Sequence, residues 1–170
     1  MKACLAAAAL AAILSACASF DGRGLMPGQS TAQEVEALMG PSHAVRQQPN
    51  GERWVYYSRE PFGRAIYLAR IGPGGVLVAI EQTLTDLNID RIEKGKWTRE
   101  EVANLLGPPS RVTKFPRNGR ESWEYFYRPN GVTGSPMVLY VTFAPEGTVY
   151  EIDRLDESSL YISPSGFIFR

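Results

Sequence analysis

The chain has 170 residues, and its 18 lysines and arginines are matched by 18 aspartates and glutamates, for a net charge of zero. That balance carries no footprint for nucleic acid. Only two cysteines are present, Cys4 and Cys17, both too near the N-terminus to staple a folded body, so the domain that follows has to stand on its apolar core.

Met1 and Lys2 make a short positive start, Ala3 to Ile13 an apolar run, and Leu14-Ser15-Ala16-Cys17 closes it. About a dozen apolar residues are too few to span a bilayer as a helix, and the pattern reads as a signal peptide over residues 1–16. LSAC resembles the bacterial lipobox. The resemblance implies that Cys17 becomes the first mature residue and carries diacylglycerol and an acyl chain, a lipid anchor strong enough to hold the protein at a membrane. An aspartate after that cysteine is the inner-membrane retention signal of such lipoproteins; Ala18 stands here, which implies the periplasmic face of the outer membrane. Residues 17–23 are then a lipidated linker.

From residue 24 the chain writes one phrase twice. GQSTAQEVEALMGP at Gly28 returns as GKWTREEVANLLGP at Gly95, with Gly28, Thr31, Glu34, Val35, Leu38, Gly40 and Pro41 answered by Gly95, Thr98, Glu101, Val102, Leu105, Gly107 and Pro108. Thr31 and Thr98 are N-cap residues, and Glu34 and Glu101, three further on, complete a capping box. Val35, Leu38 and Met39, like Val102, Leu105 and Leu106, follow the spacing that puts three apolar side chains on one helical face. Gly40 and Gly107, each followed by proline, stop the helix.

The echo continues downstream. Trp54, Tyr56 and Tyr57 return as Trp123, Tyr125 and Phe126, and RIGPGGVLV at Arg70 returns as TFAPEGTVY at Thr142. Each copy has a β-rich run (Ala65 to Ile71; Met137 to Phe143), a Pro/Gly turn and a second run (Val76 to Gln82; Thr148 to Asp153), which is a hairpin signal. The unit reads helix, strand, hairpin, in two copies over residues 24–85 and 86–156. Two independent halves of some 65 residues would each be marginal, burying about 60% of their unfolded surface against about 68–70% for one body. The halves are therefore expected to pack together.

Charge is uneven in the second copy. RVTKFPRNGR holds Arg111, Lys114, Arg117 and Arg120 and no acid, while Glu146, Glu151, Asp153, Asp156 and Glu157 crowd the end of the copy against Arg154 alone. The basic stretch reads either as a solvated hairpin loop or as a binding patch for anionic lipid headgroups or an acidic partner. Trp54 with Tyr56, and Trp123 with Tyr125 and Tyr127, lie at period two, facing either the core or a partner. Trp97 precedes an N-cap and is expected to be exposed or to staple the helix start. The tail, residues 157–170, has no copy in the first half; Leu160, Tyr161, Ile162, Phe167, Ile168 and Phe169 are expected to cover a sheet edge or the seam between copies, or to meet a partner.

Catalytic chemistry finds no foothold. The single histidine, His43, has no nucleophile motif near it, and no His/Cys/Asp/Glu cluster has metal-ligand spacing, so neither a metal nor any other cofactor is expected. GPGG at Gly72 lacks the Lys-Ser/Thr of a phosphate loop and is matched by APEG in the second copy, a hairpin turn.

The pattern G-x-x-T-x-x-E-V-x-x-L-x-G-P, followed by W-x-Y and a hairpin, resembles the SmpA/OmlA domain, the domain of the BamE lipoprotein family of the outer-membrane β-barrel assembly machinery. The second copy matches better, with Ile92, Gly95, Thr98, Val102, Leu105, Gly107, Pro108, Trp123 and Tyr125 in register; the first has Gly22, Gly24 and Pro27 where a preceding helix would be. The resemblance implies an α+β fold of two tandem BamE-like units, each with short helices packed on a three-stranded antiparallel sheet. It implies a non-enzymatic lipoprotein that serves envelope maintenance or barrel assembly through protein contacts, with outer-membrane β-barrel assembly proteins or anionic lipid as partners. A tandem pair is also similar to the β-lactamase inhibitor proteins, which implies the alternative of a periplasmic inhibitor or ligand-binding module.

Overall fold

The computed structural model describes residues 21–61, 63–129 and 134–160. Cys17, the signal segment and the tail beyond Leu160 lie outside the described residues. The elements are α1 (Ala32–Met39), β1 (Ala44–Gln47), β2 (Arg53–Ser58), β3 (Ile66–Ile71), β4 (Leu77–Gln82), α2 (Asp86–Ile89), α3 (Arg99–Leu106), β5 (Arg111–Phe115), β6 (Arg120–Tyr127), β7 (Met137–Phe143), β8 (Val149–Asp156) and a closing 3-10 turn, Glu157–Leu160. The strands form two four-stranded antiparallel meanders, β1-β2-β3-β4 and β5-β6-β7-β8.

Both α1 and α3 start as their sequences dictate. The Thr31 and Thr98 hydroxyls accept from the amides of Glu34 and Glu101, whose carboxylates accept from the threonine amides in return. Each box contributes about 1 kcal/mol to its helix. Both helices end at a glycine with positive φ, 81° at Gly40 and 87° at Gly107. The caps are also stitched to the far hairpin: Thr31 bridges Val76 and Thr98 bridges Thr148, and Gly28 and Gly95 donate their amides to the carbonyls of Leu77 and Val149. The doubled phrase therefore specifies a helix start that is clamped to the turn before the last strand.

Four strands stand in each sheet where three were expected. The additional ones are the edge strands β1 and β5, which follow the helix stops and pair with β2 and β6. Every residue of β5 is exposed, so it has no burial period to reveal it. Arg111 to Phe115 is thus an edge strand rather than part of a hairpin loop, and only Arg117 falls in the turn beyond it.

Two apolar clusters hold the body together. The smaller lies between α1 and one face of the first sheet, where Val35 and Met39 meet Val55, Tyr57, Ala69, Ile71 and Leu77. The larger joins the opposite face of the first sheet (Tyr56, Ile66, Leu68) to α2, α3 and the inner face of the second sheet (Tyr125, Tyr127, Leu139, Val141, Phe143). Helix α3 is the shared element. Val102, Ala103 and Leu106 are all buried in it, a wider arc than the Val35 and Met39 of α1. The Tyr56 hydroxyl donates to the Asn104 carbonyl at 2.8 Å and the Tyr125 hydroxyl to the Gly107 carbonyl at 3.2 Å, so corresponding tyrosines of the two sheets satisfy the end of one helix. Burial pushes the Tyr56 phenol up to about 12 and Tyr125 far above the usual range. Each fully buried side chain of this size contributes about 1.5–3 kcal/mol.

The period-two aromatics divide by depth. Tyr56, Tyr125 and Tyr127 are core, while Trp54 and Trp123 are half-buried at its margin, their indole N–H groups donating to Glu52 and Glu121. Trp97 is half-buried against the larger cluster.

Candidate functional site

Strand order brings the two charged stretches of the second half to opposite edges of one sheet. Its inner face is the buried one; the outer face is set by the ladder, in which Thr113, Ser122, Thr142 and Glu151 form one row and Arg111, Glu124, Tyr140 and Asp153 the next. Phe126, Val138 and Leu155 form a third. Among the described residues no helix packs on this face, in contrast to the first sheet, which has α1 on one side and α3 on the other. Phe115, Tyr150 and Leu155 are between 42% and 46% exposed at the margins of this face, whereas Val138 is buried and the Arg64 guanidinium lies 4.9 Å over the Phe126 ring.

The four basic residues picked out in the sequence do not converge on one point. Arg111 and Arg120 share the outer face; Lys114 pairs opposite Glu121 and belongs to the other side of the edge strand; Arg117 sits in the turn. The Arg120 guanidinium lies 3.5 Å over the Tyr150 ring, and Arg111 approaches Glu124 at 3.7 Å. Together they form a basic rim along β5 and its turn. On the opposite rim β8 exposes Glu151 and Asp153 outward, while Arg154 turns inward and pairs with Asp86 and Asp90.

Glu124 stands between the rims. Its side chain is 9% exposed, and its Oε1 has no hydrogen bond, only the 3.7 Å approach of Arg111. Tyr140, opposite Glu124 in the ladder, is held above its usual pKa by burial and then by that carboxylate. Neither residue was singled out from the sequence. The signal was available, since Ser122, Glu124 and Phe126 alternate with Trp123, Tyr125 and Tyr127, but a glutamate at that position reads as solvated until the ladder shows its neighbours.

Two other recesses lie at the seam between the halves. One, about 300 Å³, is lined by Trp54, Leu68, Trp97, Arg91, Glu81 and Asn104 among others. The second collects His43, Ser58, Glu60 and Ser110. There the Ser110 hydroxyl donates to Glu60 rather than to histidine, and His43 Nδ1 accepts the Ser58 amide, which leaves the neutral ring's proton on Nε2. A histidine so tied offers no base to the serine. Among the described residues no group of three His, Cys, Asp or Glu side chains could hold a metal ion, and no helix is long and apolar enough to cross a membrane.

This second half, with its capped α3 and four-stranded meander, is the part of the chain with a family match. Residues 81–153 match the outer membrane protein assembly factor BamE domain. The match runs from the end of β4 through α2, α3 and β5–β7 into β8, so it takes in both rims of the sheet, and it associates this half of the chain with outer-membrane assembly. No curated protein matches the chain. Two solved structures are similar to it. One is a DUF4309 family protein (YjgB) from Bacillus subtilis subsp. subtilis str. 168, 21% identical, covering 79% of this chain and 84% of that one with a TM-score of 0.31. The other is a putative β-lactamase inhibitor protein from Streptococcus mutans, 12% identical, covering 75% and 83% with a TM-score of 0.29. Likenesses of this size carry no inference about function.

Proposed function

We propose that the chain is a non-enzymatic lipoprotein, held through Cys17 at the periplasmic face of the outer membrane, that serves as an accessory factor in β-barrel assembly or envelope maintenance. The observation that carries the reading is the BamE match over residues 81–153. The first half, which repeats the capped helix, the clamped threonine and the meander, is a diverged second copy of the same unit. Its α1 covers the sheet face that α3 leaves, so the copy contributes a platform for the second unit.

The contact surface is the basic rim, Arg111, Lys114, Arg117 and Arg120, offered to an acidic surface of an assembly protein or to anionic headgroups. Crosslinking in cells followed by purification from detergent extract tests this. Assembly components are expected with the wild type and are expected to be lost when the four cations are changed to glutamate in a protein that remains folded. Recovery of none with the wild type overturns the assembly role. Separately, a Cys17→Ser form is expected to leave the membrane fraction; its retention there in unmodified form overturns the anchor.

A second reading, the inhibitor or ligand-binding module, is favoured by the recess of about 300 Å³ between the halves, whose size suits a small ligand or an inserted side chain. A soluble periplasmic enzyme bound one to one, released by Trp97→Ala, would select it.

A further inference from the structure

The outer face of the second sheet is polarised: its cations stand on the β5 side, Arg111 and Arg120, and its exposed anions on the β8 side, Glu151 and Asp153, with hydroxyl and aromatic side chains and the buried Glu124 between them. We infer that this face packs against the same face of a second copy, about a two-fold axis running along the strands.

The choice of occupant and of axis follows from the charges. A two-fold axis across the strands would lay cations on cations. An axis along them carries β5 of one copy over β8 of the other and leaves each ladder row opposite itself. Arg111 then faces Asp153 of the second copy and Thr113 faces Glu151. Each contact occurs twice, as a closed isologous pair requires. Joining edge to edge is the alternative for a second copy. Like edges repel there, and β5 against β8 would propagate without closing. Two stacked antiparallel faces are an ordinary arrangement, about 10 Å apart.

The size of the face sets the strength. Four strands about 4.8 Å apart and about 7 residues long, at roughly 3.3 Å per residue, present roughly 400 Å² per copy. That is about half of what each partner contributes to a stable complex of standard size, so the pair is a weak one that forms at high local concentration. The inference stands on the second sheet alone and does not require the assembly role.

The test uses the full chain with Cys4→Ser and Cys17→Ser, which leaves no other thiol. Thr113→Cys and Glu151→Cys chains, each labelled differently, are mixed at high concentration and treated with a short bis-maleimide. The mixed product is expected at least about tenfold over either self-product. Arg111→Glu in both chains is expected to lower it about tenfold, and adding Asp153→Arg is expected to restore it. Equal mixed and self products, or no product at all, overturn the inference. So does a mixed product that appears only in chains ending at Leu160, because the occupant of the face is then the chain's own tail. Capture of assembly components by the wild type is read separately, so loss of one result leaves the other standing.

Discussion

Gly107 and Gly40 end equivalent helices with nearly the same backbone, φ 87° and ψ −168° at the one, φ 81° and ψ −165° at the other. Replacing either with alanine imposes the same local strain, about 1–3 kcal/mol for a conformation that side chains avoid. Their surroundings differ. A Cβ on Gly40 meets no atom within 4 Å, whereas one on Gly107 lies 2.8 Å from Tyr56 Cδ1 and 3.0 Å from Ile66 Cγ2. Tyr56 is 0% and Ile66 3% exposed, and neither has room to withdraw, so overpacking adds about 1–3 kcal/mol. Gly107→Ala is therefore expected to be less stable than Gly40→Ala by about 1–3 kcal/mol, read from urea midpoints with unchanged slope. In thermal melts the gap is about 2–4 °C for each kcal/mol in a chain of this length. Equal losses for the two variants would refute the claim that the end of α3 is wedged against the first sheet, and with it the shared core.

Glu52 is held at about 2 by the Arg70 guanidinium, with the Trp54 indole N–H also donating to it. Its folded value lies below its unfolded one, so its contribution is complete above about pH 4.5 and disappears as pH falls towards 2; Glu52→Gln is expected to lower the stability–pH curve above about pH 4.5 and to flatten its acid limb, meeting the wild type near pH 2. Tyr56 and Tyr127, both pushed up to about 12 with burial as the largest cause, act in the other direction. They favour the fold fully below pH 10 and lose that effect between about 10 and 12, so spectrophotometric titration is expected to show these phenols ionising together with unfolding. Tyr125→Phe removes the donor to the Gly107 carbonyl and is expected to cost about 1–3 kcal/mol in urea melts, since that carbonyl is left buried without the bond. Thr31→Ala and Thr98→Ala are each expected to cost about 0.5–2 kcal/mol; a null effect at both sites in thermal melts would remove the capping account.

What the sequence made legible is local chemistry. The threonine, glutamate and glycine of each helix specify their caps within ten residues, and both helices begin and end where those residues say. The hairpin turns were equally clear. Strand β5 was hidden because an edge strand exposed on every residue, rich in Arg and Lys, has neither an apolar run nor an alternation; its four-residue counterpart β1 is too short to show one. The wide buried arc of α3 was hidden as well, since Ala103 reads as neutral filler and yet is as enclosed as Val102 and Leu106. As for the candidate site, the four cations and the acidic run were visible, but Arg111 and Asp153 enter one row only through the two strands between them. Glu124 shares an alternation with Ser122 and Phe126, but its pairing with Tyr140 emerges only from that ladder.

The placement of α3 bears on how the chain acquires its shape during synthesis. The first sheet is complete in sequence once Gln82 has emerged, yet the cluster that encloses Tyr56, Ile66 and Leu68 is built from residues that follow it, Leu84 and Ile89 first and Val102 and Leu106 of α3 later. The early half thus waits, with a sticky surface facing water, for a helix that belongs to its neighbour. A cleavage or frameshift between the two would leave a fragment prone to clump rather than a smaller working protein.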